Sequence, residues 1–163
     1  MEAIINSFLL VSIGEMGDKT QLLAFVLASR FKKPWAILAG VFVATLLNHA
    51  LASWAGGWIA TLFTPLTLKW LLAATFFVFG FWILIPDKEG ELQQTARYGA
   101  FATTVVAFFF AEMGDKTQLA TIALGARYPN IWLVTTGTTL GMMASNALAI
   151  FLGEKLLCRI PMR

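Results

Sequence analysis

The chain has 163 residues, 58% of them hydrophobic and only 13% charged, with a formal net charge of +3. A soluble domain carries about a quarter charged residues, so the composition argues against a soluble enzyme or a nucleic-acid-binding module. The basic residues sit between apolar runs of about 20 residues or more, long enough to cross a hydrocarbon core of roughly 30 Å, and the expected class is an all-α membrane protein.

Five spans are expected in chain order, at 3–29, 35–63, 66–85, 98–125 and 131–152. Met1-Glu2-Ala3 lacks the positive stretch of a signal peptide and the first run contains acids, so it reads as a retained span. Pro34, Pro65, Pro86, Pro129 and Pro161 fall at or near the joints, where a missing backbone donor costs a helix little. Alternate loops place Arg30, Lys32, Lys33, Lys88, Arg97, Lys155, Arg159 and Arg163 on one side and only Lys69 and Arg127 on the other. The positive-inside rule puts the first side in the cytoplasm and the N-terminus outside. Cys158 is alone, which leaves no intrachain disulfide and no cysteine metal cluster.

The octapeptide Glu-Met-Gly-Asp-Lys-Thr-Gln-Leu occurs at 15–22 and again, unchanged, at 112–119, an offset of 97 residues. At that offset Arg30 matches Arg127, Trp35 matches Trp132, Gly40 matches Gly137, Gly56 matches Gly153, and His49-Ala50-Leu51-Ala52 matches Asn146-Ala147-Leu148-Ala149. The chain is an internal duplication. The motif copies lie three spans apart, on the first and fourth, so they enter the membrane in opposite directions, an inverted repeat of three-helix units as in secondary transporters. The first repeat is expected at 1–86, a cytoplasmic acidic loop at 87–97 and the second repeat at 98–163. Adding 97 to the third span places a sixth beyond residue 163, and a protein of this design is expected to have six.

Each motif spaces Glu and Asp three residues apart, which on a continuous helix puts both on one face. Glu15, Asp18, Glu112 and Asp115 all fall mid-span, where a carboxylate costs at least about 2.5 kcal/mol and persists only when paired, hydrated or functional. Four such acids repel one another and hold protons unless a cation joins them. Lys19 and Lys116, each four residues after its Glu and so within pairing reach, balance two charges. The remainder suits one divalent cation. The carboxylates, with amides of Gln21 and Gln118 and hydroxyls of Thr20 and Thr117, make an all-oxygen set that favours Ca²⁺, Mn²⁺ or Mg²⁺ over zinc or copper. Gly14, Gly17 and Gly114 serve either to loosen the helix and free carbonyls at a cavity or to pack helices closely. Asn48, His49 and Asn146 are candidates for a proton relay or a second layer around the site. Met16 and Met113 are better read as packing than as sulfur ligands. The run Phe76, Phe77, Phe79, Phe81 and Trp82 is expected to face lipid or neighbouring helices, and the loop Asp87–Glu91 to be solvated.

At these motifs the chain resembles a family of small Mn²⁺/Ca²⁺:H⁺ exchangers of bacteria, chloroplasts and the Golgi, marked by two copies of Glu-x-Gly-Asp-Lys-Thr/Ser. The copies here are Glu15–Thr20 and Glu112–Thr117. The resemblance covers essentially the whole chain and implies exchange of a divalent cation for protons, with Glu15, Asp18, Glu112 and Asp115 as ligands. In a bacterium it implies manganese export. No cofactor is expected, since the metal is cargo; the partners are the lipid bilayer, the cation and protons, with homo-oligomerisation left open. Rival readings are an exporter of a small organic cation or amino acid, an intramembrane metal-dependent hydrolase using the same acids, and a structural subunit. Symmetry weighs against the hydrolase, because an acid and a base need different environments.

Overall fold

In a computed structural model, residues 1–82 and 99–157 are described, and all their regular structure is helical. In order these are α1 (Glu2–Gly14), α2 (Lys19–Phe31), α3 (Pro34–Ala60), α4 (Pro65–Trp82), α5 (Gly99–Glu112), α6 (Lys116–Arg127) and α7 (Ile131–Leu157). The acidic loop and Cys158 lie outside the described residues.

Local chemistry sets the ends. Pro34 and Pro65 open α3 and α4, where a helix needs no N–H donor. Asn130 Oδ1 accepts from the N–H groups of Trp132 and Leu133 and caps α7. α3, at 27 residues, is the one described helix long and apolar enough to cross a membrane unaided, and α1, α5 and the first part of α4 are shorter apolar helices.

Two expected spans are each broken. The run at 3–29 becomes α1 and α2, and the run at 98–125 becomes α5 and α6, with the motif at each break. Gly17 and Gly114 take φ of +80° and +81°, a left-handed conformation that a helix cannot continue through and that glycine adopts without Cβ strain. The chain then resumes at Asp18 and Asp115, extended residues that begin α2 and α6.

Packing exchanges the two copies. α3 lies along α5 and α6, while α7 lies along α1 and α2, and α3 and α7 pack on each other. Gly40 of α3 meets α5: a Cβ there would stand 2.7 Å from Thr104 Cβ. Its match, Gly137 of α7, meets α1, with a Cβ 2.8 Å from Ser7 Cβ. Ser7 and Thr104 are themselves 97 residues apart. The small residues let backbones approach closely.

Candidate metal site at the paired helix breaks

The two breaks bring together the ends of α1 and α5 and the starts of α2 and α6. Glu15 ends α1 as its C-cap, Glu112 is the last residue of α5, and Asp18 and Asp115 are the N-caps of α2 and α6. Glu15 and Glu112 are 0% and 1% exposed and Asp115 is 5% exposed. One carboxylate oxygen from each of these three acids lies within 4.8 Å of the others. Asp18 is outside that set, part-buried, and near enough to act on both glutamates through its charge.

The break corrects the expectation that Glu and Asp share a helical face. With the backbone reversed at Gly17 and Gly114, Glu belongs to one half-helix and Asp to the next. It also changes the lysine's partner. Lys19 Nζ lies 2.8 Å from Asp115 Oδ1, so the pair joins the two motif copies rather than following the four-residue spacing to Glu15.

Each Glu uses one oxygen and leaves the other. Thr20 Oγ1 donates to Glu15 Oε2 at 2.8 Å, and Thr117 Oγ1 reaches Glu112 Oε2 at 3.5 Å and Asp115 Oδ2 at 3.4 Å. Glu15 Oε1 and Glu112 Oε1 are buried and make no hydrogen bond within the protein. Buried polar atoms are almost always partnered, so two orphaned glutamate oxygens beside a third carboxylate form a site suited to a hard cation. The half-helix ends are mixed: the C-termini of α1 and α5 bring negative dipole ends, and the N-termini of α2 and α6 bring positive ends that favour ionised Asp18 and Asp115.

The glutamines do something else. Gln21 Oε1 accepts from Gly17 N–H at 2.9 Å and Gln118 Oε1 from Gly114 N–H at 2.7 Å, so each amide oxygen braces the break of its own copy. Gln21 Nε2 also donates to the Ser145 carbonyl of α7. Each of these oxygens, expected as a metal ligand, accepts one hydrogen bond here and keeps one lone pair. Met16 and Met113 are 70% and 55% exposed, whereas the three acids are buried. The two lysines differ in exposure, Lys116 being buried and Lys19 part-buried.

Spacing does not reveal a second matched pair of bonds. Asn48 Nδ2 donates to the Phe109 carbonyl at 3.1 Å, and Ser145 Oγ donates to the Ser12 carbonyl at 3.0 Å. Asn48 and Ser145 are 97 residues apart, as are Ser12 and Phe109. Both acceptors lie in the last turn of a half-helix, where carbonyls lack an intrahelical donor. The long helices α3 and α7 therefore tie down the half-helices that end in Glu112 and Glu15. Asn146 Nδ2 turns to its own helix, donating to the Met142 carbonyl. His49 is buried at the centre of α3. Of the aromatic run, Phe77 and Phe81 are exposed, and the side chains of Phe79 and Trp82 lie outside the described set.

The chain matches the family model "Divalent cation/proton antiporter GDT1" over residues 3–91 and 100–163. It is similar to a Vibrio cholerae protein named "Putative manganese exporter", 44% identical over 164 residues that cover 99% of this chain and 82% of that protein. A "GDT1-like protein" of Synechocystis is 30% identical, covering 98% of this chain and 87% of its own length. In rice, "GDT1-like protein 3" is 26% identical over 99% of this chain and 67% of its own. No solved structure matches the chain.

Proposed function

The chain belongs to the GDT1 family of divalent cation/proton antiporters, a family of transporters rather than enzymes, and from that premise we propose that it exports manganese from the cytoplasm in exchange for protons. Calcium is the second candidate cargo. The name of the Vibrio cholerae relative supports manganese. The observation that carries the reading is the pair of buried, unpartnered oxygens Glu15 Oε1 and Glu112 Oε1 beside Asp115.

In this reading the three acids hold one cation, with Asp18 close by. Lys19 and Lys116 reduce the surrounding negative charge to that of one divalent ion. Thr20 and Thr117 orient the carboxylates, and Gln21 and Gln118 keep the breaks open. Metal binds from the cytoplasm to deprotonated carboxylates, the bundle opens outward, and arriving protons displace the metal. Protonation neutralises the acids and permits the return, which couples the two fluxes.

The same reading treats residues 1–86 and 98–163 as halves of an inverted repeat in a bacterial inner membrane, N-terminus outside. The exchange of packing partners between copies supports it, and half-helices meeting near the midplane suit a transport site. The test is Mn²⁺ and Ca²⁺ flux in proteoliposomes under an imposed pH gradient. Metal movement that dissipates the gradient, absent when Glu15 and Glu112 are both Gln, is the expected result. Exchange that persists in that double variant would refute the assignment of the site.

A further inference from the structure

The described acids come from both copies, but one buried polar row does not. Thr45, His49 and Ser53 recur every fourth residue of α3, so they stand on one side of it, about 6 Å apart along the axis. All three are buried. Thr45 Oγ1, Ser53 Oγ and both ring nitrogens of His49 make no hydrogen bond within the protein. Elsewhere in the bundle Thr104, Thr121 and Thr138 turn back and donate to carbonyls of their own helices, the usual outcome for a helical hydroxyl. Ser7, Thr135 and Thr139 are also unpartnered, but among the described helices α3 alone joins two such hydroxyls to a histidine. Buried polar atoms in a row with no protein partner call for water as their partner.

The row has no counterpart in the other copy. At the 97-residue offset Thr45, His49 and Ser53 become Met142, Asn146 and Ile150. It also lies on the part of α3 that packs against α5 and α6, the two arms of the second break. Asn48 bonds the Phe109 carbonyl, one turn before Glu112, and the backbone of Ser53 abuts Gly125 of α6. In the chain, the break at 113–115 falls between those two contacts.

We propose that Thr45, His49 and Ser53 form a hydrated proton lane, with His49 as the relay between the aqueous phase and the acid site; this rests on the antiporter reading. A hydronium entering the lane from the aqueous phase gives its proton to the imidazole nitrogen that carries none, and the other nitrogen releases its proton through water to an ionised carboxylate of the site. The ring ends as the opposite neutral tautomer, and a ring flip restores it. Of the elements packed on α3, α5 brings Glu112, α6 brings Lys116 and Arg127 behind Asp115, and α2 brings Lys19 and Arg30 behind Asp18. Over 131–152, α7 brings no charged residue.

Proteoliposomes holding the full chain separate the lane from the metal site. One assay follows Mn²⁺ uptake driven by a pH gradient. The other follows exchange of labelled for unlabelled Mn²⁺ without a gradient, which needs the site and the moving bundle but no proton. His49→Asn gives α3 the residue that α7 carries. The gradient-driven rate should fall about a hundredfold, the low end for a positioned acid–base group, with metal-for-metal exchange retained. An unchanged gradient-driven rate, or equal loss in both assays, overturns the lane. If His49→Asn does not fold, Thr45→Val and Ser53→Ala, which nearly preserve volume, face the same two outcomes. Uncoupled Mn²⁺ movement by the unsubstituted protein would sink the antiporter reading, and the lane with it.

Discussion

Lys19 Nζ stands 2.8 Å from Asp115 Oδ1, so the lysine of the first motif neutralises an acid of the second. The side chains are 29% and 3% exposed; the aspartate is therefore the desolvated partner, and it depends on the ammonium more than the reverse. Because the two residues are 96 apart in sequence, the pair fastens one half of the molecule to the other at the candidate site.

Replacing Lys19 with Met leaves Asp115 buried without that ammonium. Loss of one partner from a fully buried pair costs about 3 kcal/mol or more, and because this pair is part-buried the metal-free protein should lose stability by less than that. A divalent cation supplies the missing charge, and added Mn²⁺ should raise Tm by more in K19M than in the parent. An equal rise in both proteins would show that the lysine does not compete with metal at these acids.

Glu15→Gln and Glu112→Gln keep side-chain shape and still accept from Thr20 and Thr117. Each removes one charge from an acid whose Oε1 is buried and unpartnered. Both variants should fold, and each should bind Mn²⁺ at least about tenfold more weakly, a loss of roughly 1.4 kcal/mol. Calorimetric titration gives the affinities; wild-type binding in either variant removes that glutamate from the ligand set.

Gly17 and Gly114 have positive φ, and nothing lies within 4 Å of a Cβ built on either. Alanine there meets no clash, only the left-handed penalty of about 1–2 kcal/mol. G17A and G114A should lower stability by similar amounts in detergent unfolding curves. A neutral result at either would mean that the break does not require the left-handed turn.

Gly40 and Gly137 are different, since their limits are steric. A Cβ would stand 2.9 Å from the Phe101 carbonyl oxygen at Gly40 and 2.6 Å from the Ile4 carbonyl oxygen at Gly137. Overpacking of this kind typically costs about 1–3 kcal/mol. G40A should loosen α3 from α5, and G137A should loosen α7 from α1. Disulfide cross-linking between cysteines placed across each contact reads the separation, and undiminished cross-linking in both variants would contradict the close approach.

Much of the site was legible beforehand. An octapeptide repeated without change marks equivalent positions whatever the fold, and its acids in apolar runs mark groups that need a partner. The break was legible only as an alternative, because Gly17 and Gly114 suit both a left-handed turn and close packing. Lys19 invited pairing with Glu15 at four residues, a rule that holds only where the helix is continuous. The glutamines offered amide oxygens to a metal, and the bonds those oxygens also accept from the N–H groups of Gly17 and Gly114 appear only once the helix is broken.

By itself, then, the sequence determined the helical class, the duplication and the identity of the acids, because composition and a repeated motif are properties of covalent order. The tertiary structure decided which of the acids meet, which lysine answers which aspartate, and which glutamate oxygens are left open. Those outcomes depend on two half-helix ends, 97 residues apart in the chain, being held against each other. Local spacing carries no information about that distance; it comes from α3 and α7 each bonding the half-helix of the other copy, Asn48 to the Phe109 carbonyl and Ser145 to the Ser12 carbonyl.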